Sequence, residues 1–114
     1  MIDQIKIAVA DASARTGRKP KVACLGLAFK PDIDDLRGSP AVHVASALHS
    51  QGYDIVAVEP NIQSHEKFKL VTVEDALRTA DVIAVLVKHR QFVQVAAAGE
   101  LGSAAILDFC GVRQ

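Results

Sequence analysis

The stretch VACLGLAFKPDIDDLRGSPA, residues 22–41, decides how this chain folds. Its first eight residues, VACLGLAF (22–29), form a continuous apolar run without polar alternation, the pattern of a strand covered on both faces. The run gives way to a segment carrying Lys30, Pro31, Asp32, Asp34, Asp35 and Arg37. Ser39 and Pro40 then read as the N-cap and first residue of a helix. A serine hydroxyl accepts from the unpaired amides at a helix start, and proline lacks the N–H that would go unused there.

Downstream, Ala41, Val44, Ala45 and Leu48 make the apolar face of that helix, and Gly52 ends it. YDIVAVEP (53–60) is a second strand closed by Pro60, and FKLV (68–71) is a short third one. Thr72 and Asp75 have capping-box spacing and start a short helix ending near Ala80. DVIAVLVKH (81–89) is another doubly buried strand, and QFVQVAAAGEL (91–101) fits a helix with Phe92, Val95 and Ala96 facing inward. AAILDFCGV (104–112) is the last strand. Upstream, residues 2–15 place Ile2, Ile5, Val9 and Ala12 on one helical stripe, which Gly17 and the run RKPK terminate. Strands alternating with helices predict an α/β fold. It is a Rossmann-like open parallel sheet of about five strands with helices on both faces, preceded by an N-terminal helix. In such sheets ligands bind beyond the carboxyl ends of the strands, where the strand order reverses, and the segment 30–37 belongs there.

A chain of 114 residues, half of them apolar, is one domain with enough apolar surface for a core. Thirteen Lys plus Arg balance thirteen Asp plus Glu, so no global charge favours nucleic acid or an anionic membrane. No apolar run approaches the roughly 20 residues that cross a bilayer, and no signal-peptide pattern opens the chain. The chain reads as soluble and cytoplasmic. Cys24 and Cys110 show no metal-type spacing, and both lie in apolar runs that predict buried, reduced thiols.

The loop after the first strand fails both glycine-rich phosphate patterns. From Gly26 it lacks the second and third glycines of G-x-G-x-x-G, and it has no G-x-x-x-x-G-K-[ST]. A phosphate here would have to be met by side-chain cations, Lys30 and Arg37. Two plainer readings stand beside that one: a solvated loop whose aspartates bond backbone amides with Lys30 and Arg37 as counter-ions, or a carboxylate cluster for a divalent metal. His43, His49, His65 and His89 have no shared metal-ligand spacing. His43 and His49 fall on the polar side of a helix, while His89, at the carboxyl end of a strand between Lys88 and Arg90, is better placed for a ligand. Glu59 occupies the position of a Rossmann ribose-binding acid, yet without the glycine fingerprint it reads as a loop-bonding or helix-capping acid. Neither cysteine has the exposed, electropositive setting of a nucleophile. The residues describe a binding module without a catalytic centre of its own.

The run 22–41 closely resembles the start of the C-terminal domain of the UDP-glucose/GDP-mannose dehydrogenase family, whose pattern is roughly G-[LF]-[AS]-F-K-x-[DN]-[TI]-x-D-x-R-x-S-[PS]. VEPNI (58–62), DVIAVLVKHRQF (81–92) and ILDFCGV (106–112) extend the likeness over about residues 20–112, nearest in appearance to the branch acting on UDP-N-acetyl-mannosamine. The resemblance implies a UDP-sugar-binding Rossmann-like domain over 20–114, with residues 1–17 ending the helix that connects it to the rest of such an enzyme. It implies an NAD-dependent, two-step oxidation of a sugar C6 alcohol to a carboxylate, in surface polysaccharide biosynthesis, through a covalent adduct on a cysteine. The NAD fingerprint and that cysteine belong to family segments outside this sequence, so the chain alone would hold no catalytic residue, bind no metal and oxidise nothing. By position, Phe29 and Lys30 fall on the family's substrate-contacting pair. Arg37 falls on the arginine that reaches across the interdomain cleft toward NAD. Partners would be the UDP-sugar, the N-terminal and central domains of the same enzyme and, in the full-length form, further copies of it. Gly38 departs from the glutamate common in the family, and Arg113 follows Asp108-Phe109-Cys110-Gly111 where some relatives have a substrate arginine soon after LDG.

Two rival readings remain. One is a stand-alone regulatory ligand-binding domain with a flavodoxin-like sheet. The other is a structural interaction domain. An isolated domain would also expose Ile2, Ile5 and Val9 on the helical stub and self-associate through them.

Overall fold

The stripe Ile5, Val9, Ala12 is buried, and it fixes the first helix, α1 (Ile2–Thr16), against the sheet. The computed structural model describes residues 2–28, 30, 36–65, 67–98 and 105–110. After α1, Gly17 takes a left-handed φ of 70° and donates its N–H to Ser13 O at 2.9 Å, the usual way to satisfy a helix's last carbonyls. The chain then runs through β1 (Lys21–Leu25), α2 (Pro40–Ser50), β2 (Asp54–Val58), β3 (Lys69–Leu70), α3 (Val73–Thr79), β4 (Val82–Val85), α4 (Arg90–Ala97) and β5 (Ala105–Asp108). The sheet order is β3-β2-β1-β4-β5 and every pairing is parallel. This is the expected open α/β sheet.

Two apolar layers sandwich the sheet. On one face α1 and α2 cover Val22, Cys24, Ala57, Val82 and Ala84. On the other, Val73 and Ala76 of α3 and Phe92 of α4 cover Ala23, Leu25, Val56, Ile83 and Val85. Residues alternate between the layers along each strand, which is why β1 and β4 read as unbroken apolar runs. The caps follow the sequence: Ser39 accepts from Val42 N, and Thr72 accepts from Asp75 N. The Asp75 carboxylate is paired with Arg78.

Three expectations need correction. The strands are shorter than the apolar runs: β1 stops at Leu25, β2 at Val58 and β4 at Val85. The excess residues Leu27, Ala28 and Val87 are buried in loops packed over the strand ends, so their apolar character reflects burial without strand geometry. Cys110 lies beyond β5 and is half-buried, unlike the fully buried Cys24. The exposed stub is also absent, because Ile5 and Val9 are buried and Ile2 packs on the same core. The large apolar residue that α1 does expose is Ile7, at 70%.

At the amino end of the sheet, Arg18 grips Asp81 through both guanidinium nitrogens, at 2.8 and 2.6 Å. Asp81 Oδ2 also accepts from Lys21 N at 2.9 Å. The Arg18 hydrogen bond, against a smaller opposing effect of burial, holds the Asp81 carboxyl below its ordinary range. The turn from α1 into β1 is thereby tied to the start of β4.

Candidate functional site

The strand order reverses between β1 and β4, since the chain moves outward from β1 through β2 to β3 and returns on the other side to β4 and β5. The loop leaving β1 therefore emerges between the carboxyl ends of β2 and β4, where such sheets bind ligands. Gly26 begins it at φ 100°, donating its N–H to Val58 O at 2.8 Å. A Cβ on Gly26 would lie 2.6 Å from Val87 Cβ, so only glycine lets the two segments approach this closely.

The next two amides have no strand carbonyl to bond. A buried carboxylate serves instead: Glu59 Oε1 accepts from Leu27 N at 2.9 Å and from Ala28 N at 3.0 Å. Glu59 Oε2 accepts from Asn61 N at 3.0 Å and Asn61 Nδ2 at 3.1 Å. On the far side of β1, His89 Nε2 lies 2.8 Å from Glu59 Oε1. Glu59 is 4% exposed and His89 1%. Burial pushes the Glu59 carboxyl up, but the bonds from His89, Leu27 and Asn61 outweigh it and hold it below the usual glutamate range. An ionised carboxylate only accepts, so His89 Nε2 is the donor in this bond. His89 also caps α4 by position, without a side-chain cap bond, and its ring lies 5.4 Å from that of Phe92. On the carbonyl side, Ser39 Oγ donates to Ala28 O at 3.3 Å, joining the loop to the start of α2.

Glu59 is thus the loop-bonding acid the sequence suggested. His89 is a buried partner of it and no open ligand site. Sequence reasoning weighed each alone and missed the pair. The available signal was topological: in a sheet ordered β2-β1-β4, residues just past β2 and β4 must meet over the end of β1. A dinucleotide pyrophosphate does not fit at the Leu27 and Ala28 amides, because they are already bonded to a carboxylate that would repel it.

Beyond these amides, Lys30 is exposed. Arg37 is also exposed, in the turn before α2, where Gly38 has φ 69° and Ser39 N donates to Leu36 O at 3.1 Å. Phe29, Asp32, Asp34, Asp35 and Arg113 lie outside the described residues, and so do the expected Phe29–Lys30 substrate pair and the aspartates bonded to backbone amides. His43 and His49 are exposed on α2, as expected. Among the described residues no group of three His, Cys, Asp or Glu is placed to hold a metal, and no helix is long and apolar enough to cross a membrane. A cleft of about 530 Å³ opens beside Glu59, between the ends of β2 and β3 and the start of α3. A smaller one of about 220 Å³ lies between Ala28, Pro40, Val87, Lys88 and Cys110.

Comparison with known proteins matches residues 23–113 to the UDP-glucose/GDP-mannose dehydrogenase family, UDP binding domain. The chain is 52% identical over 84 residues to the UDP-N-acetyl-D-mannosamine dehydrogenase of Campylobacter jejuni, covering 67% of this chain and 21% of that protein. It is 47% identical over 103 residues to the protein of the same name in Escherichia coli K12, covering 81% of this chain and 24% of that one. In structure it is similar to the UDP-N-acetyl-mannosamine dehydrogenase Cap5O from S. aureus, with TM-score 0.67 and 25% identity over 80% of this chain and 21% of that one. The chain spans between a fifth and a quarter of the length of these relatives. With the match running from β1 through the loop, its carboxylate and the last strand, the chain belongs to the UDP-glucose/GDP-mannose dehydrogenase family and carries its UDP binding domain.

Proposed function

We propose that this chain supplies the nucleotide-sugar site of an NAD-dependent UDP-sugar 6-dehydrogenase that converts UDP-N-acetyl-mannosamine to the corresponding uronate. Residues 20–114 are the UDP-sugar-binding domain, and residues 1–17 are the end of the helix that connects it to the remainder of the enzyme. Phe29 and Lys30 contact the substrate, and Arg37 reaches toward NAD held mainly by another domain. The chain alone is inactive, and the complete enzyme is a homo-oligomer.

The observation that carries this reading is the internal carboxylate. Glu59 takes up the loop amides that would otherwise cradle a dinucleotide phosphate, so anion recognition passes to side-chain cations further along the loop, where Lys30 is exposed. The relatives' names support the choice of sugar.

The test is steady-state kinetics of the dehydrogenase that contains this domain. Lys30→Ala should raise the KM for the UDP-sugar by tenfold or more, the loss of one charge-assisted contact of about 1.5–3 kcal/mol. Arg37→Ala should raise the KM for NAD instead. If both variants keep wild-type constants for both substrates, the assignment of this loop is wrong.

A further inference from the structure

We propose that Glu59 and His89 are positioning residues for the nucleotide-sugar site, a buried clamp that fixes the backbone at Leu27 and Ala28, from which the chain continues to Lys30. The inference rests on the function proposed above and adds two residues to it, neither of which reaches solvent.

The clamp spans three elements. Glu59 follows β2, His89 lies four residues past β4, and both close over Leu27 and Ala28 at the end of β1. The ladder runs out there: Gly26 N takes Val58 O, while Leu86 N and Val87 N both take Leu25 O. Leu27 and Ala28 would be left with buried, unbonded amides, and such groups are costly to leave unmade. An apolar side chain at position 59 could not satisfy them, so a carboxylate is kept inside despite the cost of burying charge. Its remaining lone pairs are taken up by Asn61 and His89. Ser39 holds the Ala28 carbonyl from the other side. Every polar backbone atom of Ala28 is therefore bonded immediately before Phe29 and Lys30. A binding group is only as well placed as the residues that support it, and displacements of about 1 Å are enough to weaken a site.

His89→Leu removes the Nε2 donor and keeps an apolar filler, whereas His89→Gln restores an N–H at nearly the same reach. Titrating UDP into this chain, wild-type and variant, should give at least tenfold weaker binding for His89→Leu. His89→Gln should remain within about threefold of wild type. Hydrogen exchange at Leu27 and Ala28 should speed up by tenfold or more in the leucine variant alone, with the amides of Ala23 and Ala84 in the sheet centre unchanged. If the leucine variant does not fold, His89→Asn, too short to reach Glu59, takes its place with the same expected results. Unchanged UDP affinity in a folded variant lacking the donor overturns the clamp, as does a glutamine variant as weak as the leucine one. A wild-type chain that ignores UDP overturns instead the function proposed above, and the clamp's role falls with it.

Discussion

Gly26→Ala is the perturbation that most severely tests the architecture of the loop. Gly26 sits at φ 100°, outside the ordinary range of residues with a side chain. Forcing an L-residue into a left-handed conformation costs about 1–2 kcal/mol. The added Cβ would also meet Val87 at 2.6 Å from Cβ, 2.9 Å from Cγ2 and 3.0 Å from the backbone N. Those are not the far end of a flexible side chain. Val87 is buried, and its N–H and carbonyl are bonded to Leu25 O and His89 N, so it cannot yield without disturbing β1 and the start of α4. Overpacking of this kind adds about 1–3 kcal/mol. The expected loss is therefore about 2–5 kcal/mol, and with a urea m-value of about 1.5 kcal/mol/M the midpoint falls by about 1.3–3.3 M. Circular dichroism in urea measures it. The double variant with Val87→Gly separates the two causes, because it removes the Cβ and Cγ2 contacts and leaves the backbone strain. A favourable coupling of about 1–3 kcal/mol is expected between the two sites. A loss under about 0.5 kcal/mol for Gly26→Ala, or strict additivity in the cycle, would refute the close approach of the two segments.

Ile5→Ala should destabilise the chain by about 2–5 kcal/mol in urea, while Ile7→Ala stays within about 0.5 kcal/mol; the reverse order would mean that α1 is not docked as described. Burial pushes the Cys24 thiol up to about 12, so a native chain at pH 8 should alkylate at half-buried Cys110 first and at Cys24 only after unfolding. Equal labelling rates read by peptide mass spectrometry would contradict that packing. Burial raises the Glu59 carboxyl, but its bonds outweigh that and leave its folded pKa below the ordinary value of 4.5. Its contribution is thus fully present above that value and is lost as pH falls through the folded pKa. Urea midpoints between pH 7 and 3 should fall less steeply for Glu59→Gln than for wild type. Parallel curves would show that Glu59 is not held as an ionised acceptor.

Much of the fold could be read from residue patterning because each element carries its own local cause. The Ile5, Val9, Ala12 spacing, the Ser39-Pro40 start of α2 and the uninterrupted apolar runs of β1 and β4 each act within one turn or one strand. Strand ends were less legible, since Leu27, Ala28 and Val87 are apolar for a tertiary reason, the packing of loops over the sheet edge. The docking of α1 was hidden for the same kind of reason: a stripe of Ile5 and Val9 reads alike whether its partner is this sheet or another domain. Lys30 and Arg37 are legible as cations within a loop that lacks the second and third glycines of a dinucleotide fingerprint. The Glu59–His89 pair joins residues 30 apart, and only the order β2-β1-β4 brings them together.

We propose that the loop after β1 takes a uridine nucleotide through its side chains, its first amides being bonded to Glu59 and closed to a dinucleotide phosphate. Titration of this chain with UDP and, separately, with NAD, followed at the backbone amides, tests it most directly. The account predicts saturable shifts around Lys30 with UDP at millimolar concentrations and none at Leu27 or Ala28 with NAD. Tight binding of NAD through the Leu27 and Ala28 amides, with no response to UDP, would contradict it.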